Sequence, residues 1–397
     1  MTKLSLVFLI GCGTHVADTG PDAAVGPDAP PAWSEAMPAA MPQLVKLNGT
    51  TLATPKVRAI FFAGDAAVQA QIADFEAQLA TSAYWTATTS EYGVGPLVVQ
   101  PTLVAPGAAP TTDTALETLL KTQLDGTHAG WTYDPSTIYS VFLPAGVVLT
   151  GAGGSKSCQD YGAYHNELAG AHGESIVYAL MPRCQGQGPA IDDLTASASH
   201  EWAEAATDPR VNTAPAFGDA DAANYVWAYT PAAENGDYCE YLDSAYQRLV
   251  GNFLVQRTWS NAAAKAGHDP CVPALAGPYV AAAPILIDDA PIGDTTGTVT
   301  TKAAKVPLGM SKTIEVQLFS DQPTADFTVS AIDVAADFQG APAELAFQWD
   351  KQSGHNGDKL HLTITRKVAG QFMGSEFAIV TTVDGKPTNL WWSFAAN

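Results

Sequence analysis

The residues best placed to do chemistry sit together in SASHEWAEAATDP, residues 197–209. On a helix, His200 and Glu204 are four positions apart and share a face, with Cβ atoms about 5–6 Å from each other. That separation suits two ligands of a single metal ion. Glu201 is rotated by about a hundred degrees from His200, so it can reach a water on the ion without ligating the ion. Zinc hydrolases with HExxH divide labour in this way: two histidines bind, and the glutamate between them takes a proton from water. Here Glu204 replaces the second histidine, giving HExxE. Two imidazoles and one carboxylate leave a divalent ion one positive charge over, whereas a neutral imidazole with two carboxylates cancels its charge. With less residual charge the bound water is acidified less, and activity leans alkaline. Oxygen donors also weaken the preference for zinc over manganese or calcium. A divalent ion is expected, zinc first.

A third ligand must come from elsewhere. Downstream lies ENGDYC, residues 234–239, which offers Glu234 as first choice and Asp237 as second. His165 and His172, in CQDYGAYHNELAGAH, are further candidates, with His165 alternatively a hydrogen-bond donor to a reaction intermediate. The rival reading makes His200 and Glu204 an ordinary hydrogen-bonded pair. Against it, the helix is rich in alanine on its other faces (Ala196, Ala198, Ala203, Ala205, Ala206), so it is packed, and buried charges then need partners.

The surrounding pattern predicts what positions these residues. Residues 57–64 read as a buried strand ending in glycine. Residues 68–79 read as an amphipathic helix, with Val68, Ile72, Phe75 and Leu79 at spacings of three and four. A strand over 96–102, a helix over 114–124, and strands over 137–143 and 175–181 follow. The HExxE helix begins near Ile191 and must stop before Pro209. Alternating strands and helices predict an α/β sheet with helical cover over residues 41–275. From 276 to 397 the texture changes to short β-rich runs separated by turns such as GHNGD and DGKP. Leu360, Leu362 and Ile364 alternate with His361, Thr363 and Thr365 there, the period of a half-buried strand. This part is expected to be an all-β, immunoglobulin-like sandwich. Trp391 and Trp392 are expected to pack its core rather than stack a sugar.

The N-terminus predicts export. Lys3 and the apolar run LSLVFLI, too short to span a bilayer, lead into LIGC, which resembles a bacterial lipobox. Residues 1–11 are then a lipoprotein signal peptide, Cys12 the lipidated residue and membrane anchor, and the outer membrane the expected address, on the cue of Gly13. Residues 12–40, with a repeated GPDA, form a Pro/Asp/Ala-rich tether. Of five cysteines, Cys158, Cys184, Cys239 and Cys271 remain, and an even number in an oxidising compartment predicts two disulfides. Three pairings are possible, the sequential one closing the shortest loops. With 40 acidic against 19 basic residues the formal charge is -21, which repels phosphate backbones and argues against nucleic acid as a partner. No GxSxG elbow is present, and GAGGS at 151–155 lacks the Gly-Lys-Ser/Thr of a phosphate loop.

In their order, several segments resemble the plant EXORDIUM, or phosphate-induced, protein family. They are YWTATTSEYGVGP, the tyrosine-histidine stretch after Cys158, YALMPRC, SHEWAEAATDP, ENGDYC and LVQRTWSNA, spread along most of the length of residues 55–272. The resemblance implies that His200, Glu201 and Glu204 belong to one site with Glu234 and Asp237 near it, and it supplies no reaction. The combined expectation is a zincin-like metal-dependent hydrolase of peptide bonds in the cell envelope. His200, Glu204 and Glu234 would hold the ion, Glu201 would act as general base, and the substrate would be a protein or peptide. The alternative is a non-catalytic surface or adhesion protein using the same residues for a structural ion.

Overall fold

A computed structural model describes residues 37, 39–184, 189–229, 234–293, 297–370 and 373–397. The signal peptide, Cys12 and nearly all of the tether lie outside the described residues. Among the described residues, no helix is long and apolar enough to cross a membrane.

The first part is mixed α/β. In chain order its strands are β1 (Leu44–Lys46), β2 (Lys56–Phe61), β3 (Val98–Val99), β4 (Leu103–Val104), β5 (Thr137–Phe142), β6 (Tyr164–Ala169) and β7 (Ser175–Met181). The helices are α1 (Ala66–Ala80), α2 (Ala83–Thr89), α3 (Asp113–Gln123) and α4 (Ala190–Thr207). The central sheet runs β3-β2-β5-β7-β6, with β4 also on β2. Its strands are parallel except β6, which pairs antiparallel with β7. The inner strands β5 and β7 are buried along nearly their whole length because both faces are covered. One face packs α1 and α4 through Ile72, Phe75, Leu79, Leu194, Ala198 and Trp202; the other packs α3 through Leu116 and Leu120.

The strand expected over 96–102 is replaced by two fragments. Pro96 and Pro101 have no N–H to give a ladder, so the chain pairs with the edge of β2 only at Val98–Val99 and Leu103–Val104.

The second part holds two sheets of a sandwich. Between it and the first part come β8 (Phe217–Ala220), β9 (Tyr246–Val250), β10 (Phe253–Gln256), β11 (Thr258–Trp259), β12 (Cys271–Val272) and the short helix α5 (Asp237–Glu240). The sandwich strands are β13 (Val280–Pro284), β14 (Asp288–Gly293), β15 (Thr298–Lys305), β16 (Ser311–Ser320), β17 (Phe327–Asp333), β18 (Leu345–Trp349), β19 (Ser353–Gly354), β20 (Lys359–Arg366), β21 (Gly374–Val383) and β22 (Lys386–Ala396). One sheet runs β13-β16-β20-β18, the other β14-β15-β22-β21-β17-β19. Leu360, Leu362 and Ile364 are buried and share a core with Phe377, Phe394 and Trp392. The strands β13 to β15 carry no clear alternation in the sequence; Pro291 falls within β14, which tolerates it as an edge strand.

The core of the sandwich continues into the segment that carries ENGDYC. Trp227 Nε1 donates to the Trp392 carbonyl at 3.1 Å. Tyr238 meets Trp227 and Trp259 edge to face and the two indoles are tilted on each other, with centroids 5.1–5.4 Å apart. Tyr241 packs on Trp392 at 5.2 Å. Residues beside α5 are therefore held against β22.

Candidate metal centre

Helix α4 is buried from Leu194 to Thr207 on nearly every face. Asp192 and Asp193 in its first turn suit the helix dipole, and Asp192 pairs with Arg248 at 2.6 Å. Its apolar side is fixed by Trp202, stacked on Phe75 at 5.7 Å and donating to Ser140 Oγ at 2.5 Å. With that side locked, His200, Glu201 and Glu204 are turned toward β6, α5 and β10. The helix ends where the Asp208 N–H bonds the Glu204 carbonyl and Pro209 follows.

His200 Nε2 lies 3.0 Å from Glu204 Oε2 and 3.6 Å from Asp237 Oδ1. The other ring nitrogen, Nδ1, is 3.0 Å from Gln256 Oε1. The orientation of that amide follows from its neighbour: Gln256 Nε2 donates to the Gly236 carbonyl at 2.8 Å, and a carbonyl can only accept. Nδ1 of His200 therefore carries a hydrogen, which leaves Nε2, facing the two carboxylates, as the nitrogen that holds either a proton or a metal. This is the outer-shell arrangement that fixes a metal-binding tautomer. With bonds of about 2.0–2.1 Å, neighbouring donors of a tetrahedral ion stand about 3.3–3.4 Å apart. The two observed separations bracket that value.

The loop ahead of α5 closes on this pair. Gly236 N–H donates to Glu204 Oε1 at 3.1 Å. A Cβ on residue 236 would sit 2.5 Å from Glu204 Oε1 and 2.8 Å from His200 Nδ1, so only glycine fits here. Asn235 is tied on both sides, to Trp259 N–H at 2.6 Å and to the Thr207 hydroxyl at 3.2 Å. The Cys239–Cys271 disulfide joins α5 to β12, while Cys158–Cys184 ties the turn before β6 to the segment after β7. The sequential pairing is thus the one formed.

His165 projects from β6, opposite Ala179 of β7. Its Nδ1 is 3.5 Å from Glu201 Oε2 and 3.6 Å from Glu204 Oε2. Its Nε2 lies 3.2 Å from the Asp208 carbonyl and 3.4 Å from Glu234 Oε1. The expected residues therefore converge, but in two groups. Asp237 stands beside His200, and Glu234 stands beside His165. His172 is elsewhere, with Nε2 at the Asp125 carbonyl on the surface. Glu240 and Gln256, which no motif marked, complete the neighbourhood. Nothing in the spacing of the sequence pointed to them except their membership of ENGDYCE and LVQRTW.

The electrostatics favour a cation. Burial opposes charge on both imidazoles. For His165, Glu234 with Glu201 and Glu204 overcomes that and raises it well above its ordinary value. For His200, Glu204 and Glu201 do the same. Burial pushes Glu234, Asp237 and Glu240 up. It would also raise Glu204, but His200 and His165 outweigh it and hold Glu204 low. Protons held in this way are those a divalent ion displaces on binding. Glu234 Oε1 is buried without a hydrogen bond, which a cation would satisfy.

His200, Glu201, Asp237 and Glu240 open onto a cleft of about 1060 Å³ whose other walls include Tyr161 and Tyr246. Asp160, Asp193 and Asp243 also line it, and among the described residues no lysine or arginine does. His165 is not among the lining residues; it stands behind Glu201 and Glu204.

The chain matches no protein-family profile and no protein of curated function. Among solved structures, a conjugative transposon lipoprotein from Bacteroides eggerthii is similar at 12% identity, over 29% of this chain and 97% of its own, with a TM-score of 0.19.

Proposed function

We propose that this chain is an exported, lipid-anchored protein of the cell envelope whose α/β part hydrolyses peptide bonds with the help of a divalent metal ion, zinc first. The observation that carries the reading is the pairing of His200 Nε2 with Glu204 Oε2 and Asp237 Oδ1, His200 and Asp237 lining the cleft, with Gln256 fixing the imidazole through its other nitrogen. These three residues would hold the ion, which supplies Lewis acidity and lowers the pKa of water. Glu201 lines the same cleft and serves as general base, taking a proton from the attacking water and returning it to the leaving amine. His165, 3.5 Å from Glu201, positions that carboxylate and is too deep to touch an intermediate. The acidic walls favour peptides with basic side chains.

The finer structural likenesses belong to this reading. A mixed sheet with covering helices beneath an HExxE helix supports a zincin-like comparison, and the two-sheet C-terminal part supports an immunoglobulin-like one. Kinship with the EXORDIUM family draws support from three of its motif segments meeting at one point: α4, ENGDYC, and LVQRTW through Gln256. Export is supported by the two disulfides, which persist in oxidising compartments. Anchoring through Cys12, with the outer membrane as destination, follows from the lipobox.

The test is a cleavage screen of a proteome-derived peptide library by the full chain, with and without chelator. Cleavage that stops on metal removal and returns with a divalent ion is expected. Cleavage that persists after complete removal contradicts the reading, and bound metal without any cleavage favours the structural-ion alternative.

A further inference from the structure

The donors around α4 outnumber what one ion can use: they form three groups, one of them His200, Glu201 and Glu204 on α4 itself, and the other two have no residue in common. His165, Glu204 and Glu234 each offer a donor atom, all within 4.8 Å of one another. His200, Asp237 and Glu240 do the same and share no residue with the first set. Among the described residues no such group contains both histidines. Glu204 belongs to both neighbourhoods: its Oε2 is 3.0 Å from His200 Nε2 and 3.6 Å from His165 Nδ1.

The inner set has its own signs of a missing cation. The side chain of His165 is 2% exposed. Its Nε2 faces the Asp208 carbonyl, which can only accept, so Nε2 carries the hydrogen. Nδ1 faces Glu201 Oε2 at 3.5 Å and Glu204 Oε2 at 3.6 Å, and a neutral ring would set a lone pair against both carboxylates. Acceptors facing acceptors in a buried site require a proton or a metal between them. Glu234 Oε1, buried and without a hydrogen bond, lies 3.4 Å from His165 Nε2, and Glu234 still offers a donor within 4.8 Å of donors on His165 and Glu204. Charge points the same way. Glu201, Glu204, Glu234, Asp237 and Glu240 carry a formal -5 when ionised; one divalent ion leaves -3, and two leave -1. Two ions also suit hydrolytic chemistry, since such pairs stabilise both attacking and leaving groups.

We propose that the chain binds two divalent cations, an outer one at His200, Asp237 and Glu240 facing the cleft and an inner one at His165 and Glu234, with the Glu204 carboxylate bridging them. The inference rests on the reading of this site as a metal centre. Its test is stoichiometry rather than activity. The full chain is stripped with chelator, dialysed against Mn2+, and its metal content per chain measured, with the electron paramagnetic resonance spectrum recorded on the same sample. Two ions per wild-type chain and a spin-coupled spectrum are expected. Glu234→Gln, isosteric and partly exposed, should retain one ion and show the uncoupled six-line spectrum. His165→Gln should do the same, and unchanged circular dichroism establishes that each variant is folded. One ion per wild-type chain, unaltered by Glu234→Gln, overturns the inner position and leaves the outer site standing. No bound ion in the wild type defeats both readings together.

Discussion

His200 and Glu204 meet at 3.0 Å, nitrogen to oxygen, one turn apart on α4, and each is braced from behind. Gln256 holds the far nitrogen of the imidazole, and the Gly236 N–H holds the far oxygen of the carboxylate. Gln256 and Gly236 are themselves hydrogen-bonded, so the brace is a closed ring of four residues. Ligands on a helix are common; a ring that fixes which atoms face inward is what a metal site needs.

Breaking that ring should loosen the metal without removing a ligand. Gln256→Leu is expected to weaken Zn2+ affinity by about 10–100-fold, the usual effect of losing an outer-shell partner. Competition with a chelator of known affinity reads it out. Unchanged affinity would show that Gln256 does not set the imidazole.

The Cys239–Cys271 bridge spans 32 residues and pins α5 beneath the cleft. Replacing both cysteines with alanine should cost roughly 3–4 kcal/mol by loop entropy, seen as a lower midpoint in denaturant. Because Asp237 opens α5, metal affinity should fall with it. A stability loss that leaves affinity intact would mean that the aromatic packing of Tyr238 and Tyr241 holds α5 alone.

Much of this was readable in the chain. The HExxE helix, its stop at Pro209, β7 over residues 175–181 and the alternation of β20 follow from periodicity, because each is long and buried on a defined face. The convergence of His165, Glu234 and Asp237 was only a shortlist, because contacts across tens of residues depend on how β6 pairs with β7, and β6 has no clean alternation. Gln256 and Glu240 were invisible. An amide acting behind a ligand, or a carboxylate in a four-residue helix, has no spacing rule to announce it. The two-fragment run at β3 and β4 shows the reverse error: the apolar residues between Pro96 and Pro101 resemble a long strand, but the prolines have no N–H to carry the ladder past them.

Away from the site, Glu76 on α1 is 1% exposed and one of its oxygens has no hydrogen bond. Burial pushes its carboxyl up to about 8 from 4.5. The folded state thus binds this proton more tightly than the unfolded chain does, so stability is intact below pH 4.5, falls as pH rises toward 8, and is flat above. Glu76→Gln should match the wild type at pH 4 and exceed it at pH 8.5 by on the order of 2–5 kcal/mol. Denaturant melts at the two pH values check this, and an equal difference at both would assign the effect to packing instead.

The most direct test of the account joins metal content to turnover in Glu201→Gln. Elemental analysis and the rate of peptide hydrolysis are measured on the same preparations of variant and wild type. The variant is expected to keep its metal and lose about 10²–10⁴-fold in rate, the contribution of a positioned general base. Wild-type turnover in a variant that retains its metal would contradict the assignment of Glu201 and the hydrolytic mechanism built on it.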